Sequence, residues 1–141
     1  MPDINFFKEG STIDLRSLQN RKKWLRLVAK QYGYTIENLN YIFCSDAYLL
    51  KMNLAYLNHN TLTDIITFDH QSEPTKIIEG DVFISTERVM ENANQHGVDY
   101  HHELSRVMAH GLLHLFGFKD KTEAAHKKMR AAENEALNLL V

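Results

Sequence analysis

A broad apolar pattern at helical spacing lies between Tyr100 and Phe116. The apolar residues spread around most of the helix circumference, which is typical of a helix buried in the centre of a domain. We therefore predict a central helix that begins at Asp99 or Tyr100 and ends at Phe116. The positions that define this pattern are Leu104, Val107, Met108, Leu112, Leu113 and Leu115.

The patterns on either side predict a mixture of strands and helices. Short apolar or β-branched runs predict strands, and amphipathic runs with polar caps predict helices. The strand 77–85 is interrupted in this pattern by Glu79-Gly80-Asp81, and it follows the strand 63–68 closely enough to form a hairpin. We predict strands at 4–7, 39–44, 63–68 and 77–85, and helices at 15–32, 47–57, 86–95, 99–116 and 122–140.

This order of elements predicts an α+β fold, with a small mixed β-sheet packed with about five helices. The helix 99–116 is expected at the centre, and the strand 4–7 at an edge of the sheet. Residues 1–141 contain no repeat or linker-like segment, so we expect a single domain.

Composition adds a few constraints. A formal net charge of −2 provides no overall positive field for nucleic acid, so any RNA must be bound locally. The single cysteine, Cys44, excludes an intramolecular disulfide and fits a reducing compartment. Without an evident signal peptide or a membrane-length apolar stretch, we expect a cytoplasmic protein with no membrane partner.

Two histidines near the end of the central helix form a metal-binding pattern. His110 and His114 are four residues apart, which places them ~40° apart around the helix and ~6 Å apart along it. Gly117 can take the left-handed conformation that ends a helix, and the chain then returns Asp120 toward the histidines. Two imidazoles and one carboxylate with an open fourth position are typical of a catalytic zinc site, which activates water for hydrolysis.

The histidine pair alone is also compatible with surface histidines on an ordinary helix, but the glycine and the carboxylate after it favour a metal site. The spacing is similar to the metzincin pattern H-E-x-x-H-x-x-G-x-x-H, in which the glutamate is the general base. Gly111 stands at that position here, so a peptidase of this kind lacks its base.

The chain also carries three blocks in a distinctive order: Thr63-Asp64-Ile65-Ile66-Thr67-Phe68, Gly80-Asp81-Val82-Phe83-Ile84-Ser85, and residues 110–120. Their order and approximate spacing resemble the YbeY family of bacterial single-strand-specific endoribonucleases and ribosomal RNA maturation factors. The resemblance covers nearly the whole chain. It implies a zinc-dependent hydrolase that acts on single-stranded ribosomal RNA at the small ribosomal subunit, and no DNA partner is expected.

Two positions depart from the family pattern. The third ligand in the family pattern H-G-x-L-H-L-x-G-Y-D-H is the final histidine, and this chain has Asp120 at that position. A carboxylate ligand favours Mn²⁺ or Mg²⁺ more than histidine does. The family also has an arginine where this chain has Leu57. An arginine there could stabilise charge on the scissile phosphate, so its loss is expected to weaken catalysis unless His59 or Lys51 takes the role.

Other candidate residues are suggested by their position near these blocks. Glu103 lies two turns before His110, so it is either a general base or a hydrogen-bond partner of a ligand histidine or of Arg106. Asp64 has either a role in the cleft or a local turn-forming role. A basic face on the first helix either binds RNA phosphates or is only solvated, and it contains Arg21, Lys22, Lys23 and Arg26.

The sequence therefore predicts a metal-dependent endoribonuclease of ribosomal RNA processing and ribosome quality control, with one Zn²⁺ per chain. The alternative is a ribosome-assembly binding factor that keeps a structural metal and has little or no nuclease activity. A zincin-like peptidase is disfavoured by Gly111.

Overall fold

The computed structural model describes residues 3–57, 63–71 and 73–140, and it has the predicted α+β architecture. The strands are β1 (Asp3–Glu9), β2 (Thr35–Cys44), β3 (Ile65–Asp69) and β4 (Ile77–Ser85). The helices are α1 (Arg21–Gln31), α2 (Asp46–Leu57), α3 (Thr86–His96), α4 (Tyr100–Leu115) and α5 (Glu123–Asn138), and a short 3-10 helix (Leu15–Leu18) precedes α1.

The four strands form one mixed sheet in the order β1-β2-β4-β3. β1 pairs with β2 and β2 with β4 in parallel, whereas β3 and β4 pair antiparallel. Parallel neighbours need long crossover connections, which α1, α2 and their flanking segments supply, while consecutive strands can form a hairpin. The mixed sheet, the hairpin and the edge position of β1 are thus confirmed.

Two predictions about the continuity of elements differ from the structure, and the predicted strand 39–44 begins earlier, at Thr35. The predicted helix 15–32 is divided, because the Asp14 side chain caps a separate 3-10 turn by accepting from the Arg16 N–H, and α1 begins only at Arg21. The predicted interruption of β4 is wrong, since the strand is continuous through Gly80. A Cβ at residue 80 would lie 2.7 Å from the Phe68 carbonyl oxygen, so this glycine permits a close approach of β3.

Helix α4 lies in the main hydrophobic core. The core combines residues of β1, β2 and β4 with residues of α1, α3, α4 and α5. Two buried hydrogen bonds fix polar atoms in this core: the Tyr41 hydroxyl donates to the Met108 carbonyl at 2.7 Å, and Trp24 Nε1 donates to the Ala136 carbonyl at 2.7 Å. Helix α2 instead contributes Leu49 to a second, smaller apolar cluster. The prediction of a buried central helix is confirmed.

Gly111 allows α4 to lie close to the sheet. A Cβ at this position would be 2.7 Å from Val82 Cγ1 and 3.0 Å from Ile65 Cδ1, closer than carbon atoms pack without displacement. Residue 111 therefore faces β3 and β4. A glutamate at position 111, as in the metzincin pattern, would be buried against the sheet.

The described helices include none with the length and apolar character needed to cross a membrane. Cys44 is fully buried at the end of β2, and its thiol lies 3.5 Å from the Ile84 carbonyl oxygen.

Candidate metal centre

His110 and His114 lie on consecutive turns near the C-terminal end of α4. Their ring centroids are 4.6 Å apart, and the ring planes are inclined by 80°. Both side chains are partly exposed, although most of the surrounding helix is buried. The four-residue spacing thus places two imidazoles side by side on the open face of a buried helix.

The turn after α4 brings a carboxylate to these histidines. Gly117 has a φ of 102°, in the left-handed region, and its N–H donates to the His114 carbonyl at 2.9 Å. The Phe118 N–H donates to the Leu113 carbonyl at 3.1 Å, which completes the two bonds of a Schellman motif. The chain then reverses, so Asp120 lies beside both histidines.

The three side chains have the spacing of a metal site. Asp120 Oδ2 lies 3.3 Å from His110 Nε2 and 3.5 Å from His114 Nε2. One ligand atom from each residue lies within 4.8 Å of the other two. In a tetrahedral site with bonds of about 2.0–2.1 Å, neighbouring ligand atoms are about 3.3 Å apart. A divalent ion therefore fits between these atoms.

The second nitrogen of each histidine is held by a hydrogen-bond acceptor. His110 Nδ1 lies 2.5 Å from Glu133 Oε2, and His114 Nδ1 lies 3.0 Å from the Phe118 carbonyl oxygen. A neutral imidazole that donates from Nδ1 keeps its lone pair on Nε2, which here faces Asp120. Metal-binding histidines are oriented in proteins by partners of this kind.

The charges also fit a bound cation. Burial lowers the pKa of His114 and the neighbouring His110 lowers it further, so the His114 imidazole is neutral at pH 7. Its Nε2 lone pair then faces a carboxylate oxygen of Asp120, and the two acceptors repel each other unless a cation lies between them. Two imidazoles and one carboxylate form a donor set that suits a divalent metal.

A buried ion-pair network supports the histidine pair. Glu133 is 2% exposed, and while one of its oxygens contacts His110, the other accepts from Arg106 at 2.8 Å. Arg106 also donates to both carboxylate oxygens of Glu103. Burial acts to raise the pKa of Glu133, but the hydrogen bonds from His110 and Arg106 outweigh it and lower this pKa. The Glu133 carboxylate is therefore ionised at neutral pH.

Glu133 was not predicted from the sequence. It lies on the buried face of α5 together with Met129, Ala132 and Ala136. A carboxylate on an otherwise apolar helix face must have a partner, because an isolated buried charge is costly. The position of Glu133 on an apolar helix face was the feature of the sequence that could have identified it, but the sequence does not say which partner the carboxylate contacts.

The two acidic candidates occupy different positions. Glu103 is 2% exposed and is connected to His110 only through Arg106 and Glu133. The structure thus brings Glu103 to Arg106, one of the two partners that the sequence suggested, and not to a ligand histidine.

Asp64 precedes β3, where its carbonyl accepts from the Ser85 N–H at 3.0 Å. Its carboxylate oxygen Oδ2 lies 3.5 Å from Asn92 Nδ2. Burial raises the pKa of Asp64, and the charge of a protonated His110 or of Arg106 acts against this rise. The Asp64 carboxylate is thus close enough to His110 for the two groups to interact electrostatically.

Three clefts meet at His114, with volumes of about 340, 410 and 530 Å³. We call the second of these the β3 groove. Leu57 lies in it, whereas His59 lies outside the described residues. The β3 groove is lined by Asn53, Leu57, Thr63, Ile65, Ile66, Thr67, His114, Asp120 and Lys121.

The basic face predicted for RNA lies on α1 and lines none of these three clefts. Arg21 Nε donates to Ser105 Oγ at 3.4 Å, and the Lys22 ammonium group lies 5.3 Å from the centroid of the Phe6 ring. The remaining two members, Lys23 and Arg26, are exposed on the same helix.

Comparison with known proteins gives the family. Residues 3–141 match the family model described as Endoribonuclease YbeY. A protein named endoribonuclease YbeY from Cytophaga hutchinsonii is 52% identical over 136 residues, which are 96% of this chain and 94% of that protein. The chain belongs to the endoribonuclease YbeY family. A second YbeY relative, from Christiangramia forsetii, is 44% identical over 137 residues, 97% of this chain and 94% of the relative.

A solved structure has a similar fold. The solution structure of a Thermotoga maritima protein matches with a TM-score of 0.67 and 26% identity, and the match covers 96% of this chain and 90% of that one. The YbeY family and the α+β fold predicted from the sequence are both confirmed.

Proposed function

We propose that this protein is a metal-dependent endoribonuclease that cleaves single-stranded RNA during ribosomal RNA processing and ribosome maturation. The endoribonuclease class is given by membership of the YbeY family, and it confirms the enzyme class predicted from the sequence. The observation that carries the metal dependence is the convergence of His110, His114 and Asp120, of which His114 lines all three clefts and Asp120 lines two of them. We propose that residues 1–141 act as one domain.

In this proposal, His110, His114 and Asp120 hold one divalent ion. Such an ion supplies Lewis acidity for phosphodiester hydrolysis. Glu133 and the Phe118 carbonyl keep the two imidazoles in the orientation that directs Nε2 toward Asp120. We propose Zn²⁺ as the ion, because two imidazoles suit zinc; the carboxylate ligand also permits Mn²⁺ or another divalent ion.

The proton-transfer role is assigned to Asp64 in preference to Glu103. Both carboxylate oxygens of Glu103 accept from Arg106, so Glu103 acts by positioning Arg106. Asp64 has a pKa raised by burial and lies within electrostatic range of His110, as a group that exchanges protons near the reaction would. His59 remains a candidate for binding the scissile phosphate, and the four basic residues of α1 remain candidates for binding RNA farther from the metal.

Metal content and RNA cleavage measured together test the proposal. We expect about one divalent ion per chain in the wild type, loss of the ion in His114→Ala and Asp120→Ala, and retention in the surface variant Glu123→Gln. Elemental analysis of the purified proteins gives these values. Cleavage of a single-stranded RNA should fall with the metal, whereas a duplex of the same sequence and casein should both resist hydrolysis. A wild-type protein that binds no metal even after supplementation contradicts the proposal.

A second function is supported by Leu57. An apolar side chain in the β3 groove is poorly suited to stabilise a developing phosphate charge, so the protein could act as a ribosome-assembly factor whose metal is structural. Association with the small ribosomal subunit and a cytoplasmic location belong to both proposals. Co-sedimentation with small subunits, together with metal-loaded protein that does not cleave RNA, would favour this second function.

A further inference from the structure

The β3 groove contains few charges for a site that binds a polyanion. Its walls are formed by apolar side chains and by neutral polar ones of α2 and β3. Among the described residues that line the groove, Lys121 is the one with a permanent positive charge.

Lys121 also borders the cleft on the other side of Asp120. That cleft of about 530 Å³ is lined by His114, Lys119, Asp120, Lys121, Thr122 and Ala125. Lys121 and the two metal-ligand candidates His114 and Asp120 are thus shared by the two clefts. A single strand that passes from one cleft into the other must cross the metal centre beside the Lys121 side chain.

The Lys121 ammonium group is available for a ligand. Its side chain is exposed, and within the described ranges it forms no salt bridge at 4.0 Å or less. Two cations on the neighbouring helices are already paired: Arg106 is bound to Glu103 and Glu133, and Lys127 lies 3.9 Å from Glu123. Lys119 also lines the cleft of about 530 Å³, but it does not line the β3 groove. A phosphate at the metal centre therefore meets Lys121 without breaking an existing ion pair.

From this geometry we propose that Lys121 binds a phosphate of the RNA strand beside the metal centre. The Lys121 ammonium group provides a positive charge in the β3 groove, whereas the apolar side chain of Leu57 provides none. This inference rests on the proposed function for its substrate, a single-stranded RNA. Lys121 acts by contacting the phosphate directly, and in this inference Lys121 is not needed for the metal ligands to bind the ion.

Binding measured without cleavage gives the first test. The probe is a fluorescent single-stranded RNA with phosphorothioate linkages that resist hydrolysis, and the variants are wild type, Lys121→Gln and the control Lys127→Gln. We expect Lys121→Gln to weaken binding roughly tenfold, as the loss of one charged hydrogen bond does. The slope of log K against log salt should become shallower by about 0.7, the value for one phosphate contact of a single strand. Lys127→Gln should equal the wild type.

Metal content separates phosphate binding from a structural effect on the neighbouring ligand Asp120. Lys121→Gln should keep the wild-type metal content and melting temperature. The double variant Leu57→Arg/Lys121→Gln returns a cation to another position in the lining of the groove, so it should recover part of the lost affinity and of kcat/KM. Loss of metal in Lys121→Gln would instead assign the residue a structural role and overturn the inference.

The outcomes distinguish this inference from the proposed function. If the wild type binds and cleaves RNA but Lys121→Gln has unchanged affinity and salt slope, the inference is wrong and the proposed function stands. If metal-loaded wild type binds RNA without cleaving it, the nuclease proposal fails. In that case the change in affinity and salt slope of Lys121→Gln still decides the role of Lys121.

Discussion

At the scale of single residues, the candidate metal centre depends on a carboxylate that is not a ligand. Glu133 contacts His110 through one oxygen and Arg106 through the other. This contact fixes the proton of His110 on Nδ1 and leaves Nε2 free to face Asp120. The ionised carboxylate also makes the imidazole more basic, and therefore a stronger ligand.

We predict that Glu133→Gln lowers metal affinity by about 10–100-fold, the usual effect of replacing the partner of a ligand histidine. The glutamine keeps a hydrogen-bond acceptor for His110 but loses the negative charge that Arg106 requires, so stability should also fall. Competition with a chromophoric chelator measures the affinity. The matched variant Glu123→Gln, on the exposed first turn of α5, should retain wild-type affinity, and equal affinities in both variants would contradict the role given to Glu133.

Cys44 provides a residue-scale test of pH dependence. Burial raises the pKa of the Cys44 thiol to about 12, and the nearby carboxylates of Asp46 and Glu9 add to the rise. Because the thiolate is the reactive form, about one thiol in ten thousand is ionised at pH 8.

We therefore predict that native protein reacts with iodoacetamide far more slowly than the denatured chain at pH 8, and that the native rate rises as the pH increases toward 10. Mass spectrometry of the alkylated protein gives both rates. A native rate equal to that of the denatured chain would show that the thiol is accessible and ionised.

At the scale of elements, the position of α4 against the sheet depends on Gly111. Both histidines are attached to this helix, so a shift of the helix moves two ligand candidates together. The close contacts that a Cβ would make with Val82 and Ile65 indicate how little space the interface has.

Gly111→Ala is predicted to lower the free energy of unfolding by about 1–3 kcal/mol, the usual cost of overpacking a core. It should also weaken metal binding, because the helix must move away from β3 and β4. Urea denaturation and chelator competition measure the two effects. Gly117→Ala serves as the comparison, because it introduces backbone strain without a steric contact. The φ of Gly117 is 102°, in the left-handed region, but a Cβ at this position would meet nothing within 4 Å. A Gly111→Ala protein as stable as wild type would rule out the tight interface.

At the scale of the whole molecule, the core is expected to form without a metal. The main cluster contains large side chains such as Leu25, Phe43, Leu104 and Leu112, and it is built by the sheet and four helices. A protein of this length buries about 68–70% of the surface of its unfolded chain. The metal is thus expected to add stability to a fold that already exists.

Chelation by EDTA should accordingly lower the melting temperature without unfolding the protein at 25 °C. Ion binding to the native state adds RT ln(1 + [L]/Kd), which is about 2.7 kcal/mol at a hundredfold excess over Kd. Circular dichroism before and after chelation, with a thermal scan of each sample, measures the change. Loss of the far-ultraviolet signal at 25 °C would show instead that folding requires the metal.

The sequence by itself determined the features that depend on local geometry. A four-residue spacing on a helix places His110 and His114 together whatever the rest of the fold, since the helix repeat is fixed by bond geometry. Gly117 ends the helix because, unlike the non-glycine residues on either side of it, it takes a positive φ without strain. Strand and helix patterns likewise predicted the α+β fold, although not the split before α1 or the continuity of β4 through Gly80.

Only the tertiary structure decided which distant residues meet the histidine pair. Glu133 is 23 positions from His110, Leu57 lies on another helix, and Arg106 is directed toward two buried carboxylates. Such contacts depend on how α2, α4 and α5 pack against the sheet, and many side chains share in fixing that packing. The physical reason is that local patterns specify which face of an element is buried, whereas the partner of that face is selected by the assembled core.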